Sequence, residues 1–473
     1  MAEVSENRMA GNSSPPSLYP FITLREESFG ALVFNPFFAT ERTFGPVEGS
    51  VIRRLDGKRP VSQLARELAE ERAIPMEAAV AVVETTLTQL KSMYAVDENG
   101  GAAATAALET AASKPAPVDA CATPSSELLS SPKSIIWELT RACNLRCMHC
   151  LTRAGDAGSP ELDLKGAFRV IEVLEEAKVL RLFLSGGEPF VHPHILEVIE
   201  RLSESNMYFD IGTNGVDVPE SFFQNLSEYR LFLVQVSIDG IGSRHDYFRC
   251  REGAFAAATR TIERLKEADI NVTISTTATA ANFDQIEKII DWAAGMGCSS
   301  FKSITFIPAG RGKDNSKALK LTPEQYRSLS MLLKRKQAEM APRMSVEVGT
   351  TMSFLLDPCA PSAESSPLAR TQPFKIGCAA GTDTLYIGAD GTAFPCPFFL
   401  SFPLGNIVTT PIASLWRDSP FLNYMRNLTE ARVSEECRKC RYLGAECNAG
   451  CRASAYLEHG NLSAMDPSCF KEC

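Results

Sequence analysis

The chain has no run of eighteen apolar residues, which excludes an ordinary membrane-spanning helix. Its opening stretch, "MAEVSENRMAGNSSPP", carries acids early and lacks the apolar segment of an export signal. Basic residues are in deficit. There are 48 Lys and Arg against 57 Asp and Glu, a net charge of −9, so no general basic surface draws the chain to nucleic acid or anionic lipid. A repeat period of the solenoid kind is also missing. These absences lead us to expect a cytoplasmic protein with neither a nucleic-acid nor a membrane partner.

Cysteine, by contrast, is plentiful: fifteen in 473 residues. A reducing cytosol does not sustain a disulfide framework, so clustered cysteines there point to metal or redox sites. Cys121, Cys250, Cys298 and Cys359 stand apart from the clusters and read as buried thiols or incidental residues. At 45% hydrophobic residues the chain can build full cores and divide into several domains.

The texture changes three times. Residues 17–97 offer the short strands "FITLREE" and "GALVFN", then helical stretches "EGSVIRRLDG", "SQLARELAEER" and "PMEAAVAVVETTLTQLKSM", giving a small domain of two or three strands and three helices. Residues 98–131 are rich in Ala, Ser, Pro and Gly without bulky periodicity and read as a flexible linker. From 132 to 345, apolar runs alternate with amphipathic segments: "SIIWEL", "RLFLS", "YFDIGT", "LFLVQVSI", "NVTIST" and "FKSITFI". Six βα units imply a parallel sheet curved into an open barrel, whose ligands gather at the C-terminal strand ends. The unusual loops fall there: "CNLRCMHC" after the first strand, "SGGEP" after the second, "TNG", "SIDG" and "PAGRG" later. Residues 346–473 are dense in Cys, Gly and Pro and poor in long helices, so metal sites are the candidates for holding them. The expected fold class is α/β, a partial (β/α)6 TIM-like barrel between a small winged-helix-like α+β domain and a cysteine-rich iron–sulfur domain.

"CNLRCMHC" poses a choice. Cys143, Cys147 and Cys150 with His149 can make a closed Cys3His zinc site, or the three thiolates can bind three irons of a 4Fe-4S cluster and leave one iron open. Adjacent His149 and Cys150 would be strained as joint tetrahedral ligands. Structural zinc sites also tend to divide their ligands between two hairpins.

The three-cysteine loop after the first strand, an aromatic-type residue before its last cysteine and "GGEP" after the second strand resemble the radical S-adenosylmethionine (SAM) superfamily, over residues 132 to about 312. The resemblance implies that the open iron chelates SAM, whose reductive cleavage yields a 5′-deoxyadenosyl radical that abstracts hydrogen from a substrate. It implies cofactor contacts from Gly186 and Gly187, which let the backbone approach the methionine ammonium, from Glu188 as a charge and from Pro189 fixing the turn. Ser237 resembles the contact to the SAM ribose or carboxylate. Phe306, Ile307, Pro308 and Gly310 resemble the adenine side. Asp239 and Gly240 read as turn-shaping residues, and Arg311 as either a carboxylate partner or a solvated loop charge.

The second cysteine group comprises Cys378, Cys396, Cys437, Cys440, Cys447, Cys451 and Cys469. Alone, "CRKCRYLGAECNAGC" can be a zinc ribbon, although seven cysteines exceed the need of one zinc. With "GNI", "SLW" and "DPSC", the pattern resembles the SPASM domain, which implies two auxiliary 4Fe-4S clusters and three clusters in all. By position, Cys378, Cys396 and Cys451 belong to the inner cluster, and Cys437, Cys440, Cys447 and Cys469 to the outer. One extra residue before Cys447 departs from the family spacing. The inner set is one thiolate short, to be completed by Cys473 or Cys359 or left open for substrate.

The N-terminal domain can be a winged helix, but residues 62–91 hold Arg66, Arg72 and Lys91 against five glutamates, a poor phosphate binder. "FGALVFN", "LDGKRPVSQLARELAEE" and the closing helix resemble the PqqD-like recognition domain of enzymes that modify ribosomally made peptides. That resemblance implies a precursor-peptide partner whose leader adds a strand to a sheet edge, and the reductive cleavage implied by the radical SAM resemblance adds a flavodoxin- or ferredoxin-type electron donor. Three functions stay open. One is a peptide maturase forming a thioether or carbon–carbon crosslink or an oxidative decarboxylation. Another is a sulfatase-maturase-like oxidation of Cys or Ser, whose family carries an acid where this chain has Pro397. The last is a zinc-stabilised peptide-binding module without catalysis.

Overall fold

The computed structural model describes residues 15–97, 128–156, 160–348, 352–356, 376–444 and 446–471. Two units arise from the contacts, residues 1–131 with 206–208, and residues 132–205 with 209–473. Most of the expected linker lies outside the described residues.

In the first unit β1 (Ser17–Leu18) pairs with β5 (Val96–Asp97), and β2 (Thr23–Glu27), β3 (Gly30–Asn35) and β4 (Thr40–Phe44) form an antiparallel sheet in that order. Helices α1 (Pro46–Ile52), α2 (Val61–Arg72) and α3 (Met76–Ser92) complete it. Its core is its own, with Val33, Val51, Leu64, Leu68, Val83, Leu87 and Leu90 buried together. Gly30 takes a left-handed φ of +134° in the β2–β3 turn, where a Cβ would meet the Phe44 carbonyl at 2.2 Å.

The second unit is built on one ten-stranded sheet. Strands β6 (Ser134–Glu138), β7 (Arg181–Ser185), β8 (Tyr208–Thr213), β9 (Leu233–Ser237), β10 (Asn271–Ala278) and β11 (Ser300–Thr305) run parallel in sequence order. Each coincides with one of the six apolar runs. Beyond β11 the sheet gains β12 (Ser345–Glu347). Beyond β6 it gains β13 (Thr384–Ile387), parallel to β6, followed by antiparallel β14 (Thr392–Phe394) and β15 (Gly405–Asn406). The cysteine-rich segment therefore extends the barrel sheet by backbone hydrogen bonds.

Strand periodicity of two divides the barrel strands between two environments. Ile135 and Trp137 of β6, and Leu182 and Leu184 of β7, are buried. They alternate with Ile136 and Phe183, which line the interior cavity, as do Gly212, Gln235, Ser275, Thr277 and Ile304 from the other strands. Gly212 makes room, since a Cβ there would lie 2.6 Å from the Phe183 ring. Helix α4 (Leu164–Glu176) follows β6, α5 (Ile195–Ser203) follows β7, α6 (Ser243–Arg249) and α7 (Ala254–Glu267) follow β9, α8 (Ile286–Gly295) follows β10 and α9 (Pro323–Met340) follows β11, while a short helix, Glu220–Gln224, follows β8. In α5, Ile195, Val198, Ile199 and Leu202 bury one stripe, each worth about 1.5–3 kcal/mol. Asp163 caps α4 through the Gly166 N–H at 2.8 Å.

Candidate functional site

A cavity of about 350 Å³ opens at the C-terminal ends of the barrel strands. Its lining gathers Cys143, Cys147, Cys150, Gly186, Gly187, Glu188, Ser237 and Ile307, which the sequence placed on four separate loops. Pro189 does not line it; it is buried and opens a short turn through Val191.

The cysteine loop is held from three sides. Gly187 N–H donates to the Thr140 carbonyl at 2.7 Å and Glu188 N–H to that of Ala142 at 2.9 Å. Cβ atoms at Gly186 and Gly187 would stand 2.5 and 2.2 Å from those same carbonyl oxygens. The glycine pair is thus required for packing against the cysteine loop, whatever else it approaches. From the other side Arg311 and Gly312 N–H groups both reach the Cys150 carbonyl, at 2.8 and 3.1 Å. Arg311 also donates from Nη1 to the Cys147 carbonyl at 3.4 Å and from Nη2 to Ala154 at 3.0 Å. Nη2 also meets Asp156 Oδ1 at 3.3 Å, so Arg311 is a carboxylate partner, as one of the two readings had it, and a loop clamp besides. Asn315 takes the Met148 carbonyl at 2.9 Å, and Asn144 ties the loop to the Val216 carbonyl at 2.8 Å.

Glu188 is 1% exposed and acts as a brace rather than an open charge. Its Oε1 accepts from Thr213 Oγ1 at 2.7 Å and Phe190 N at 3.2 Å, and Oε2 from Asn214 N at 2.7 Å. Burial pushes its carboxyl up to about 7, against the pull of those donors.

Asp239, expected to shape a turn, is fully buried and pairs with Arg249 Nη2 at 2.5 Å. Burial raises its carboxyl, but Arg249, His149 and His245 outweigh that and hold it low. The other Arg249 nitrogen, Nη1, points at Cys147 Sγ, 3.7 Å away. His149 stacks on Phe248 with ring centroids 4.7 Å apart, its Nε2 is 3.7 Å from Asp239, and its Nδ1 has no hydrogen-bond partner. Sequence reasoning missed Arg249 because arginine reads as surface; its place next to Cys250 in "YFRC" gave no signal. Cys250 itself is exposed and Cys298 is buried. Cys121, Cys359 and Cys473 lie outside the described residues.

The remaining cysteines separate into two groups. Cys396 feels the charges of Cys451 and Cys378, while Cys469 and Cys447 feel those of Cys437 and Cys440. Cys437, Cys440, Cys447 and Cys469 surround a small hollow of about 30 Å³ with Met352, Leu443 and Met465. Pro397 and Phe398, directly after Cys396, line the main cavity, so the first group borders it.

The donor chemistry fits iron–sulfur clusters. Burial pushes the Cys147 thiol up to about 12 and those of Cys451 and Cys469 to about 11, so each stays protonated until a metal displaces the proton. A buried guanidinium, Arg249, stands beside Cys147 Sγ at 3.7 Å as a counter-charge for a thiolate. Among the described residues no three Cys, His, Asp or Glu side chains converge closely enough for a single ion.

An open parallel barrel with three thiols on its first strand-end loop and two further thiol groups on a sheet extension defines a class of iron–sulfur radical enzymes. The family models agree with it: the radical SAM superfamily matches residues 137–293, and the iron–sulfur cluster-binding SPASM domain matches residues 378–441. The chain belongs to the radical SAM superfamily and carries a SPASM domain. Mycofactocin maturase MftC of Mycolicibacterium smegmatis is 30% identical over 347 residues, 72% of this chain and 84% of that protein. An AdoMet-dependent heme synthase of Methanosarcina barkeri is 28% identical over 350 residues, 72% of this chain and 97% of its own length. Among solved structures, Streptococcus suis SuiB superposes with a TM-score of 0.69 at 16% identity, over 95% of this chain and 98% of SuiB. SuiB has also been crystallised bound to its precursor peptide SuiA. The chain is an enzyme, and among the described residues no helix is long and apolar enough to cross a membrane.

Proposed function

We propose that this enzyme matures a ribosomally made precursor peptide, recognising the leader through its N-terminal unit and modifying the core in the barrel cavity. The observation that carries the reading is the reach of the likeness. The SuiB fold accounts for 95% of the chain and so includes most of the N-terminal unit, whereas the sequence matches to the maturase MftC and to the heme synthase each cover 72%. A separate three-stranded sheet with its own core gives a leader an edge on which to add a strand, the PqqD-like mode.

In this reading Cys143, Cys147 and Cys150 hold a 4Fe-4S cluster with one iron left for SAM. Cys378, Cys396 and Cys451 hold the inner auxiliary cluster and Cys437, Cys440, Cys447 and Cys469 the outer. When bound and reduced by a flavodoxin- or ferredoxin-type donor, the first cluster with SAM supplies a carbon radical able to take hydrogen from an unactivated position. The chain's own residues prepare for it. Arg249 neutralises the thiolate at Cys147, and Arg311 and the glycine pair fix the loop. Glu188 locks the second and third strand ends together, and Ser237 and Ile307 offer a hydroxyl and an apolar wall to the nucleoside. Phe183, Phe306 and Phe398 keep water from the radical's path. The outcome is a thioether or carbon–carbon crosslink, or an oxidative decarboxylation that breaks a carbon–carbon bond and releases carbon dioxide. Porphyrin chemistry is the second reading, favoured by the near-complete coverage of the heme synthase, and is tested by supplying iron porphyrin precursors in place of peptide.

The first experiment needs no substrate. Anaerobically reconstituted protein with dithionite and SAM is expected to release 5′-deoxyadenosine and to hold about twelve irons, four for each cluster. Cys147→Ala is expected to lose both about four irons and the 5′-deoxyadenosine. If the variant still cleaves SAM, the assignment of the open cluster is wrong; zinc without iron or sulfide would remove the enzyme reading altogether.

A further inference from the structure

The protein is acidic, yet the two segments that enclose the cysteine loop are basic. Residues 146–156 and 309–320 hold six Arg and Lys against two Asp, a net charge of +4, which leaves −13 on the rest of the chain. The structure joins the two segments into one face. Arg146 Nη1 and Arg311 Nη2 share Asp156 Oδ1, at 2.5 and 3.3 Å, and Arg153 Nη2 pairs with Asp314 at 2.7 Å. Lys320 is answered by Glu458 at 2.5 Å. Arg146, Arg153, Lys313 and Lys317 are exposed, Arg146 over 62% of its side chain. Among the described residues Lys313 and Lys317 form no ion pair, so they carry part of the surplus openly.

This face lies on the cysteine loop itself. Arg146 directly precedes Cys147, and Arg153 stands three residues past Cys150, a span of at most about 11 Å. The second segment is fastened to the same loop, with Arg311 N and Gly312 N on the Cys150 carbonyl at 2.8 and 3.1 Å and Asn315 on that of Met148 at 2.9 Å. The outer cysteine set has no such surplus. Residues 430–447, which include Cys437, Cys440 and Cys447, hold four basic and four acidic side chains. Exposed charge adds little to folding stability and acts mainly on encounters with charged partners. In the proposed reading each SAM cleavage consumes an electron brought from outside the chain, so an encounter at this place has a use.

We propose that Arg146, Arg153, Lys313 and Lys317 form the docking face for a small acidic one-electron carrier protein, which delivers its electron directly to the cluster on Cys143, Cys147 and Cys150 and not by way of the outer auxiliary set. The proposal rests on the reading that these three cysteines hold the SAM-site cluster. One electron leaves the carrier and one arrives at the cluster, with no atom transferred. Opposite charges steer such an encounter and raise its rate roughly 10- to 1,000-fold, an effect that salt screens.

The test uses the full-length, anaerobically reconstituted protein with SAM and no peptide. Release of 5′-deoxyadenosine is followed with a reduced acidic flavodoxin and, separately, with dithionite, for wild type, K313E/K317E and K313R/K317R. Binding is measured by the fluorescence anisotropy of dye-labelled flavodoxin. At low salt K313E/K317E is expected to lose about tenfold or more in both flavodoxin-driven rate and flavodoxin affinity, while K313R/K317R keeps both. The wild-type flavodoxin rate is expected to fall as salt rises to about 0.15 M, where the screening length is ~8 Å. The dithionite rate and the iron content are expected to match wild type in both variants. No flavodoxin-driven release by wild type, an unchanged flavodoxin rate in K313E/K317E, an equal loss in K313R/K317R, or a parallel loss with dithionite would overturn the docking face. Wild type that releases no 5′-deoxyadenosine with dithionite would overturn the cluster assignment instead, which separates that failure from this one.

Discussion

At the scale of single residues the site depends on charges taken out of water. Asp239 is fully buried and Arg249 nearly so, and their 2.5 Å ion pair sits beneath the cysteine loop. Removing one partner strands the other. Arg249→Ala is expected to cost about 3–5 kcal/mol of stability in denaturant unfolding of the anaerobic holoprotein. Asp239→Ala combined with it is expected to recover part of that loss, and strictly additive costs would show that the pair does not couple. None of this was legible in the sequence. The cysteines were, because their spacing alone states their chemistry, and so were the glycines of "SGGEP". Arg249 and the carboxylates of Glu188 and Asp239 look like surface residues in a string of letters, and only the fold shows them buried beside the cysteine loop.

At the scale of elements, the six barrel strands could be read directly because apolar residues are buried at alternate positions along them, as Phe209 and Ile211 of β8 and Val234 and Val236 of β9 are. β12 and β13 could not. They are three and four residues long, and β13 pairs with β6 across some 250 residues of chain, a distance no local pattern reports. Helix ends were partly legible. Thr322 opens α9 with a full capping box, accepting from Gln325 N at 3.3 Å while Gln325 Oε1 takes the Thr322 N–H at 2.9 Å. Thr322→Ala is expected to lower stability by about 1 kcal/mol and leave iron content unchanged. A drop in iron content would mean that α9 supports the cluster loops more directly than its packing suggests.

At the scale of the whole molecule, two units with separate cores predict separable behaviour. Removing residues 1–97 is expected to weaken precursor binding at least tenfold, measured by fluorescence anisotropy of a labelled peptide, while substrate-free SAM cleavage stays within about twofold of wild type. Equal loss of both would make the N-terminal unit a structural support and not a recognition module. From composition alone the Ala- and Pro-rich segment between 98 and 131 is expected to be a linker, and most of it lies outside the described residues.

The pairing of β13 with β6 has a consequence for how redox centres are spaced. Cys143 lies five residues beyond the end of β6, and Cys396 lies two beyond the end of β14, two strands further along the same sheet. Neighbouring strands keep a pitch of about 4.7–4.9 Å. Under the proposed cluster assignment, the hydrogen-bond ladder acts as a ruler that sets the gap between the centres held at Cys143 and at Cys396.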